Sequence, residues 1–255
     1  MHLKQKLFCH LKITDISFEE MMELIDIKIK NRERLLITRL TVKNFVKSLF
    51  NPALRDAIRH MDIVIPSSRF LFRLVKKIYP DYQFTLEHTK EFITPLIHKY
   101  HQFLVNFVIL GGNMAGLNKL AINLKASFPG LKLIGTYPKL FLERREEDIQ
   151  TVLRKSEPHI FFIGLGEEAE QLWLHSNKDI FPKTVCICVN KQINVMCHEE
   201  SDIPYRYKVQ NKEFQYILQK KPYRIFDVFV WLLVWFQFGK FKHKLRRKSK
   251  KQAVK

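Results

Sequence analysis

Short apolar runs alternate along the second half of the chain with segments in which apolar residues recur every three or four positions. Runs of the first kind are typical of buried strands, and segments of the second kind are typical of amphipathic helices. The pattern predicts strands over residues 103–110, 131–134, 159–163 and 184–189. It predicts the connecting helices over residues 143–155, over 167–175 and between Asn113 and Pro129.

The first half of the chain shows the same alternation. Ser17 and Glu20 have the spacing of a capping box, which predicts that a helix begins after Ser17. Further elements are predicted as strands over 34–40 and 63–65 and as helices over 42–50, 69–78 and 87–100. Pro95 falls inside the last of these helices and is expected to break or kink it.

Strands that are linked by amphipathic helices form a parallel sheet with helices on both faces. We therefore predict an α/β fold with an open, mainly parallel, Rossmann-like sheet, in which ligands bind at the carboxyl ends of the strands. The predicted domain covers residues 1–224 and has an N-terminal half over 1–102 and a C-terminal half over 103–224. Residues 225–255 are predicted to form an apolar and basic appendage.

Glycine marks the carboxyl edge of the predicted sheet. Seven of the eight glycines fall within one stretch: Gly111, Gly112, Gly116, Gly130, Gly135, Gly164 and Gly166. Glycine allows tight turns and the close approach of a ligand to the backbone, and Gly111-Gly112 and Gly164-Leu-Gly166 are predicted strand-to-helix turns. The spacing of Gly111, Gly112 and Gly116 is not the dinucleotide-binding fingerprint, and by itself it is weak evidence for phosphate binding.

Positive charge is concentrated at the C-terminus. The chain has a formal net charge of +19, and residues 238–255 contain nine Lys or Arg and no acidic residue. Residues 228–236, just before them, are all apolar and include two of the three tryptophans. This run is shorter than the roughly 20 residues of a transmembrane helix, but an aromatic apolar segment followed by basic residues suits a helix that lies on an anionic membrane surface.

Two other interpretations of this segment stay open. One is a C-terminal core helix that is followed by a disordered basic tail. The other is an arm that neutralises the phosphates of a nucleic acid, but the apolar run has no role in such an arm. We therefore expect an anionic membrane surface as a partner and no nucleic acid.

Cysteine and histidine patterns argue against disulfides and metal sites. The four cysteines include no C-x-x-C pair, so we expect free, buried thiols and a reducing compartment. His98 and His101 have a spacing that suits metal ligands on one helix face, but no acid or third ligand lies nearby in the sequence. We predict no metal site. The N-terminus lacks a continuous apolar segment, so no secretory signal is expected.

Three sequence blocks lie at predicted strand ends between residues 107 and 166. They read Val-Ile-Leu-Gly-Gly, Phe-Pro-Gly-Leu-Lys-Leu-Ile-Gly-Thr and Ile-Phe-Phe-Ile-Gly-Leu-Gly. These blocks resemble the WecG/TagA/CpsF glycosyltransferases, and the resemblance runs from about Lys12 to Arg224. It implies transfer of N-acetylmannosamine or a related N-acetylhexosamine from a UDP-sugar to a polyprenyl-diphosphate-linked acceptor in the synthesis of bacterial envelope polysaccharide.

Several of the family's functional positions hold different residues here. The family's T-x-N motif appears as Thr38-Arg39-Leu40, which keeps the threonine and loses the asparagine. Its A-D-x-x-x-P-D-G motif corresponds to residues 61–68, with Ser67 at the position of the family's proposed catalytic aspartate. Its P-K-Q-E motif corresponds to residues 168–171. The resemblance therefore implies the family's scaffold with altered chemistry.

Transfer of a sugar from UDP requires dipoles or positive charge that hold the leaving diphosphate. The strand-end glycines place helix N-termini at the ligand edge, where such dipoles are available. Arg224 matches an arginine that the family uses near the diphosphate, whereas Ile217 replaces another arginine. We predict that the substrate-binding residues are Gly111, Gly112, Tyr137, Gly164, Gly166 and Arg224.

The transfer also requires a base for the proton of the acceptor hydroxyl. Ser67 has no basicity near neutral pH without a partner, so Glu167, Glu168 and Glu170 are candidates for this role. Acids in the first turn of a helix are also favoured by the helix dipole alone, and that interpretation stays open. The predicted catalytic residues are Thr38, Ser67, Glu170 and Gln171.

The resemblance implies a nucleotide sugar and a lipid-linked acceptor as partners, with homo-oligomers as a further implication. It implies no metal and no cofactor, because the UDP-sugar is a substrate. Residues 1–102 are then the acceptor side and residues 103–224 the donor side, in a cytoplasmic protein that is peripheral on the inner face of the cell membrane. The alternative is a catalytically degenerate member of the family that acts as a nucleotide- or membrane-binding partner protein.

Overall fold

The computed structural model describes residues 3–85, 93–166, 168–189, 191–197, 206–207, 210, 213–220 and 227–253. The chain begins with an antiparallel hairpin of β1 (Lys4–Phe8) and β2 (Leu11–Asp15). Cys9, at the hairpin turn, has a left-handed φ of 57°. The sequence analysis did not predict this hairpin.

A six-stranded sheet forms the centre of the molecule. Its strands are β3 (Leu35–Leu40), β4 (Ile63–Pro66), β5 (Asn106–Gly111), β6 (Lys132–Tyr137), β7 (Ile160–Gly164) and β8 (Val185–Cys188). Their order in space is β4-β3-β8-β7-β5-β6, and every neighbouring pair is parallel. The last strand, β8, therefore lies between a strand of the N-terminal half and a strand of the C-terminal half, and one continuous sheet joins the two.

Helices flank this sheet. The described helices are α1 (Phe18–Lys30), α2 (Val42–Phe50), α3 (Pro52–Arg59), α4 (Arg69–Ile78), α5 (Ile93–Tyr100), α6 (Met114–Ser127), α7 (Lys139–Ser156), α8 (Ala169–Ser176), α9 (Gln192–Met196), α10 (Glu213–Lys220) and α11 (Asp227–Ala253). Ser17 and Glu20 form the predicted capping box at the start of α1. Thr41, Ser68 and Asn113 cap α2, α4 and α6, and each accepts from a main-chain N–H that has no partner within the helix.

The predicted α/β fold with a parallel sheet is confirmed. Strands that are covered on both faces are buried along their whole length, and all six residues of β3 are buried in this way. The edge strand β6 is more exposed. Cys186, Cys188 and Cys197 are free and buried, as predicted, while Cys9 is half-buried.

Some element boundaries differ from the prediction. The strand that was predicted from residue 103 begins at Asn106, because Phe103 and Leu104 lie in an exposed turn. Strand β6 continues to Tyr137 and α7 begins at Lys139, so both elements are longer than predicted. Helix α3 was not predicted. The predicted elements keep their order along the chain, while α3 and the hairpin are added to them.

Pro95 was expected to kink a helix over residues 87–100. The described part of α5 runs from Ile93 to Tyr100 and contains Pro95. Residues 86–92 lie outside the described residues, so the start of the predicted helix is not tested.

The basic C-terminal segment is a helix that packs on the domain. Val234 and Phe238 of α11 are buried. The Phe238 ring lies 6.4 Å from that of Phe8 in the hairpin, and Trp231 stacks on Phe70 of α4 with 5.7 Å between ring centroids. Other apolar side chains of α11 remain exposed: Phe229, Leu232, Leu233, Trp235 and Phe236. None of the helices in the described part of the chain has the length and apolar content to cross a membrane.

Candidate functional site

The carboxyl ends of the parallel strands meet at one edge of the sheet. From β3 the chain continues to β4 on one side, and from β5 it continues to β6 on the other side. Ligands of open α/β sheets bind at the carboxyl edge where the strand order reverses in this way. The candidate site therefore lies around the ends of β3, β8, β7 and β5.

A cluster of buried polar side chains joins β3, α2 and α8 at this edge. The Nε2 atom of Gln171 donates to Thr38 Oγ1 at 3.0 Å, and its Oε1 atom accepts from Asn44 Nδ2 at 3.0 Å. Gln171 Nε2 also lies 3.5 Å from Oε1 of Glu170. We call Thr38, Asn44, Glu170 and Gln171 the polar cluster; all four are buried. Because buried polar groups are costly unless they are hydrogen-bonded, these contacts fix the relative positions of the three elements.

Arg39, next to Thr38 on β3, is buried as well. Its guanidinium donates a hydrogen bond to the main-chain oxygen of Val189, just after β8. Burial lowers the pKa of Arg39, and the negative charge of Glu170 raises it. Since an arginine keeps its proton in proteins, the carboxylate of Glu170 balances a buried positive charge.

The thiol of Cys188 borders the polar cluster. Burial, followed by the charge of Glu170, raises the pKa of Cys188 well above its usual value, although a hydrogen bond with Thr38 acts in the other direction. A buried, protonated thiol is a poor nucleophile. The chemistry available at this point therefore comes from the hydroxyl, amide and carboxylate groups of the polar cluster.

Ser67 lies at the same edge, at the end of β4. Its main-chain N–H and its hydroxyl both donate to the main-chain oxygen of Leu40, at 3.0 and 3.2 Å. Leu40 ends β3 two residues after Thr38, so Ser67 is one strand away from the polar cluster. The proton of its hydroxyl is directed to the backbone.

The glycine turns form the other side of the candidate site. Gly111 and Gly164 lie opposite each other on β5 and β7, and a Cβ atom on Gly111 would be only 2.4 Å from the Gly164 oxygen. Gly166 has a φ of 101°, which side chains rarely adopt. Apart from Gly166 itself and its chain neighbours, no described residue has an atom within 4 Å of the position that a Gly166 Cβ would take. The backbone at Gly166 is therefore open to a ligand.

Tyr137 ends β6 beside these turns, opposite Leu110 in the register with β5. Burial raises the pKa of its hydroxyl, so Tyr137 is a neutral hydrogen-bond donor at physiological pH. The turn that follows is held to the glycine turn, because the N–H of Lys139 donates to the main-chain oxygen of Gly112 at 3.0 Å. Tyr137 and the strand-end glycines thus share one part of the edge.

The structure places the predicted site residues in two groups. Of the predicted catalytic residues, Thr38, Glu170 and Gln171 belong to the polar cluster, and Ser67 does not. The predicted substrate-binding glycines and Tyr137 lie together at the ends of β5, β6 and β7.

Besides Ser67, three candidate positions are not placed in either group by the described residues. Arg224 and Glu167 lie outside the described residues. Glu168 forms a surface ion pair with Lys47, with 2.8 Å between Oε1 and Nζ. Glu168 and Glu170 are the two candidate bases that the structure describes, and of these Glu170 belongs to the polar cluster.

Sequence reasoning missed Arg39 and Asn44. Asn44 lies in the first turn of α2, and its N–H donates to the capping hydroxyl of Thr41 at 3.0 Å. An asparagine so close to the lost asparagine of the T-x-N motif, at Leu40, was the available signal. No comparable signal existed for Arg39, because a single arginine in a predicted strand is normally interpreted as facing solvent.

The comparison with known families covers nearly all of the chain. The sequence model of the WecG/TagA/CpsF glycosyltransferase family matches residues 6–250. A search of curated proteins found no match. The family match includes the polar cluster, the glycine turns and most of α11, and it bears out the family indicated by the sequence blocks. Its enzymes take part in the synthesis of cell-envelope polysaccharide, with a nucleotide sugar as donor and a lipid-linked acceptor. The chain belongs to the WecG/TagA/CpsF family of glycosyltransferases.

Proposed function

We propose that this protein is an active glycosyltransferase that moves an N-acetylhexosamine-like sugar from a UDP-sugar to a polyprenyl-diphosphate-linked acceptor. The observation that carries the proposal is the polar cluster, which joins β3, α2 and α8 at the carboxyl edge of the sheet. In the reaction, an acceptor hydroxyl oxygen bonds to the anomeric carbon, the bond from that carbon to UDP breaks, and the hydroxyl proton passes to a base.

The glycine turns are the proposed site of the UDP diphosphate. Helices α6 and α8 begin just after Gly112 and Gly166, and main-chain N–H groups at helix N-termini favour bound anions. The open space at Gly166 admits a phosphate to the backbone. Arg224 is proposed to add positive charge there, by its match to the family's arginine.

Glu170 is the proposed base. Its negative charge acts on the buried guanidinium of Arg39, and a carboxylate is a group that can take the proton of an acceptor hydroxyl. Gln171 and Thr38 hold the first turn of α8 against β3, so they act as positioning residues for Glu170. Ser67 is not suited to this role, because its hydroxyl already donates to Leu40.

Turnover by the wild type and by the Ser67→Ala and Ser67→Asp variants tests this proposal. The wild-type protein is expected to release UDP from at least one UDP-N-acetylhexosamine, dependent on a polyprenyl-diphosphate-linked acceptor. The Ser67→Ala variant is the matched control and is expected to stay within about 5-fold of the wild type, because a hydrogen bond to a main-chain oxygen contributes only about 1 kcal/mol. UDP release and donor hydrolysis are measured together.

The alternative function, a degenerate family member that binds a nucleotide or the membrane, is favoured by the replacement of the family's aspartate with Ser67. It predicts no turnover in the wild type, together with a rise in thermal midpoint when UDP binds the folded chain. Activity that appears only in Ser67→Asp would contradict an active wild-type enzyme and support this alternative. No turnover in either protein would also contradict the proposed reaction.

We further propose that α11 holds the protein on the inner face of the cell membrane, next to the acceptor side of the site. Trp231 stacks on Phe70, which follows Ser67 by three residues. The exposed apolar residues of α11 precede basic residues that are also exposed: Lys240, Lys242, Lys244, Arg246 and Arg247. An apolar surface next to positive charge suits anionic lipids. Assembly into homo-oligomers stays a prediction.

Vesicle binding tests the role of α11. Replacing the exposed Leu232 and Phe236 with glutamate is expected to weaken binding to phosphatidylglycerol-containing vesicles at least about 10-fold, because two apolar side chains leave the lipid. Ile122→Glu on α6 is the control, since Ile122 is 68% exposed on another helix, and it is expected to bind like the wild type. Equal binding of all three proteins, or equal binding to neutral and anionic vesicles, would contradict the proposal.

A further inference from the structure

Three potential metal ligands lie together on α3 and α8, apart from the polar cluster. Asp56 lies within α3, His60 is the C-terminal cap of α3, and His175 is near the C-terminal end of α8. One ligand atom from each of these side chains lies within 4.8 Å of those of the other two. In the described part of the chain, no other group of three His, Cys, Asp or Glu side chains comes this close.

The carboxylate of Asp56 lies between the two imidazoles. Its Oδ1 atom is 3.6 Å from His60 Nδ1, and its Oδ2 atom is 3.6 Å from His175 Nε2. The ligand atoms of a tetrahedral zinc ion, with bonds of about 2.0–2.1 Å, lie about 3.3 Å from one another. A small rotation of the Asp56 side chain, which is 58% exposed, closes this difference between Asp56 Oδ2 and His175 Nε2. The His60 side chain is 48% exposed, so its ring is free to turn and present Nε2 to the same point.

The ring nitrogens are arranged for ligation. His60 Nδ1 lies 2.9 Å from the main-chain oxygen of Asp56. Since a carbonyl oxygen only accepts, His60 Nδ1 donates and the lone pair of its ring is on Nε2. Donation of the second ring nitrogen to a main-chain oxygen orients many metal-bound histidines. His175 Nδ1 is buried without a hydrogen-bond partner among the described residues. The polar contact of this ring with Asp56 is therefore made by Nε2.

We propose that Asp56, His60 and His175 bind a divalent transition-metal cation of the zinc type, with water as the fourth ligand. Two imidazoles and one carboxylate are a donor set that zinc prefers, whereas Mg²⁺ and Ca²⁺ prefer oxygen ligands. The bound cation links α3 to α8. It thereby holds in place the helix that carries Glu170 and Gln171.

This site takes no part in the transfer chemistry. His175 lies five residues after Glu170 along α8, which is about 7.5 Å of helix rise. The proposal departs from the sequence-based prediction of no metal site, and the role of the cation is to stabilise the fold.

Titration of the chelator-treated, full-length protein with Zn²⁺ and with Co²⁺ tests the proposal. Zn²⁺ is expected to raise the thermal midpoint by several degrees, because it binds the folded chain. Co²⁺ is expected to give the visible absorption of a four-coordinate site. His60→Ala and His175→Ala are each expected to weaken binding of both cations at least 10-fold.

Two control variants distinguish this site from other side chains that could bind Zn²⁺. The His98→Ala/His101→Ala variant removes two histidines from another helix, and Cys9→Ser removes the half-buried thiol; both are expected to bind Zn²⁺ like the wild type. Thermal midpoints in chelator check that every variant is folded. A wild-type midpoint that does not respond to Zn²⁺, an equal response to Mg²⁺, or unchanged binding in His60→Ala/His175→Ala would each overturn the proposal and leave an Asp–His hydrogen-bonding cluster.

Discussion

Replacing Glu170 with glutamine is expected to lower the free energy of unfolding by about 3 kcal/mol. The substitution keeps the size of the side chain and removes its charge, so the buried guanidinium of Arg39 loses the carboxylate that balances it. Loss of one member of a buried pair is costly because the other charge remains out of water. Urea denaturation of the wild type and the variant measures the change.

A double-mutant cycle with Arg39→Met is the control for this explanation. Arg39→Met alone leaves the carboxylate of Glu170 buried and is expected to lower the free energy of unfolding by a similar amount. The double variant removes both charges and is expected to regain most of the loss, to within about 1 kcal/mol of the wild type. If the stability loss of the double variant equals the sum of the two single losses, the two charges do not interact.

The same double variant tests Glu170 as the proposed base. It is expected to be stably folded, yet to transfer sugar at least about 100-fold more slowly than the wild type, because positioned bases contribute factors of about 10² to 10⁴. Stability and catalysis are thereby separated in one protein. Wild-type turnover in the double variant would show that Glu170 only balances the charge of Arg39.

Replacing Gly111 with alanine is expected to cost about 3–5 kcal/mol of stability. The new Cβ atom would lie 2.4 Å from the main-chain oxygen of Gly164, so the neighbouring strands β5 and β7 would have to separate. The φ of Gly111, 137°, adds backbone strain for any residue with a side chain. Denaturation midpoints, or loss of soluble protein, report the effect.

Gly166→Ala is the matched comparison. Its φ of 101° is also unfavourable for alanine, but its Cβ would enter open space, so the cost is expected to be about 1–3 kcal/mol. If UDP binds against this turn, the folded Gly166→Ala variant is expected to bind UDP at least 10-fold more weakly in a thermal-shift titration. Equal losses of stability in the two variants would contradict the role given to the Gly111–Gly164 contact.

Apart from the edge strand β6, the strands of the sheet were predictable because they are buried on both faces and therefore appear in the sequence as apolar runs. The same reasoning failed at Phe103 and Leu104, which continue such a run but lie in an exposed turn. It also failed at the hairpin, where lysines occupy alternate positions of β1. Lys6 is satisfied there by Asp15, with 2.8 Å between Nζ and Oδ2, and a partner from another strand cannot be seen in a local pattern.

The candidate site was predictable where turns or family motifs mark it. Gly111, Gly166 and Gln171 were found in this way. Arg39 was not, because the charge that acts on it belongs to Glu170, which lies 131 positions further along the chain. A local sequence window records a residue's neighbours in the chain and carries no information on such a pairing.

The place of β8 in the sheet has a consequence for the order of folding. Leu35 of β3 pairs with Val185 of β8, 150 positions later in the chain, and β8 also pairs with β7. Long-range pairing of this kind is slow, because a large loop must close before the contacts form. During synthesis, one edge of β3 therefore stays unpaired until β8 has been made. The polar cluster forms only after both halves of the sheet are present. Until then, the uncovered edge of β3 is open to wrong pairing.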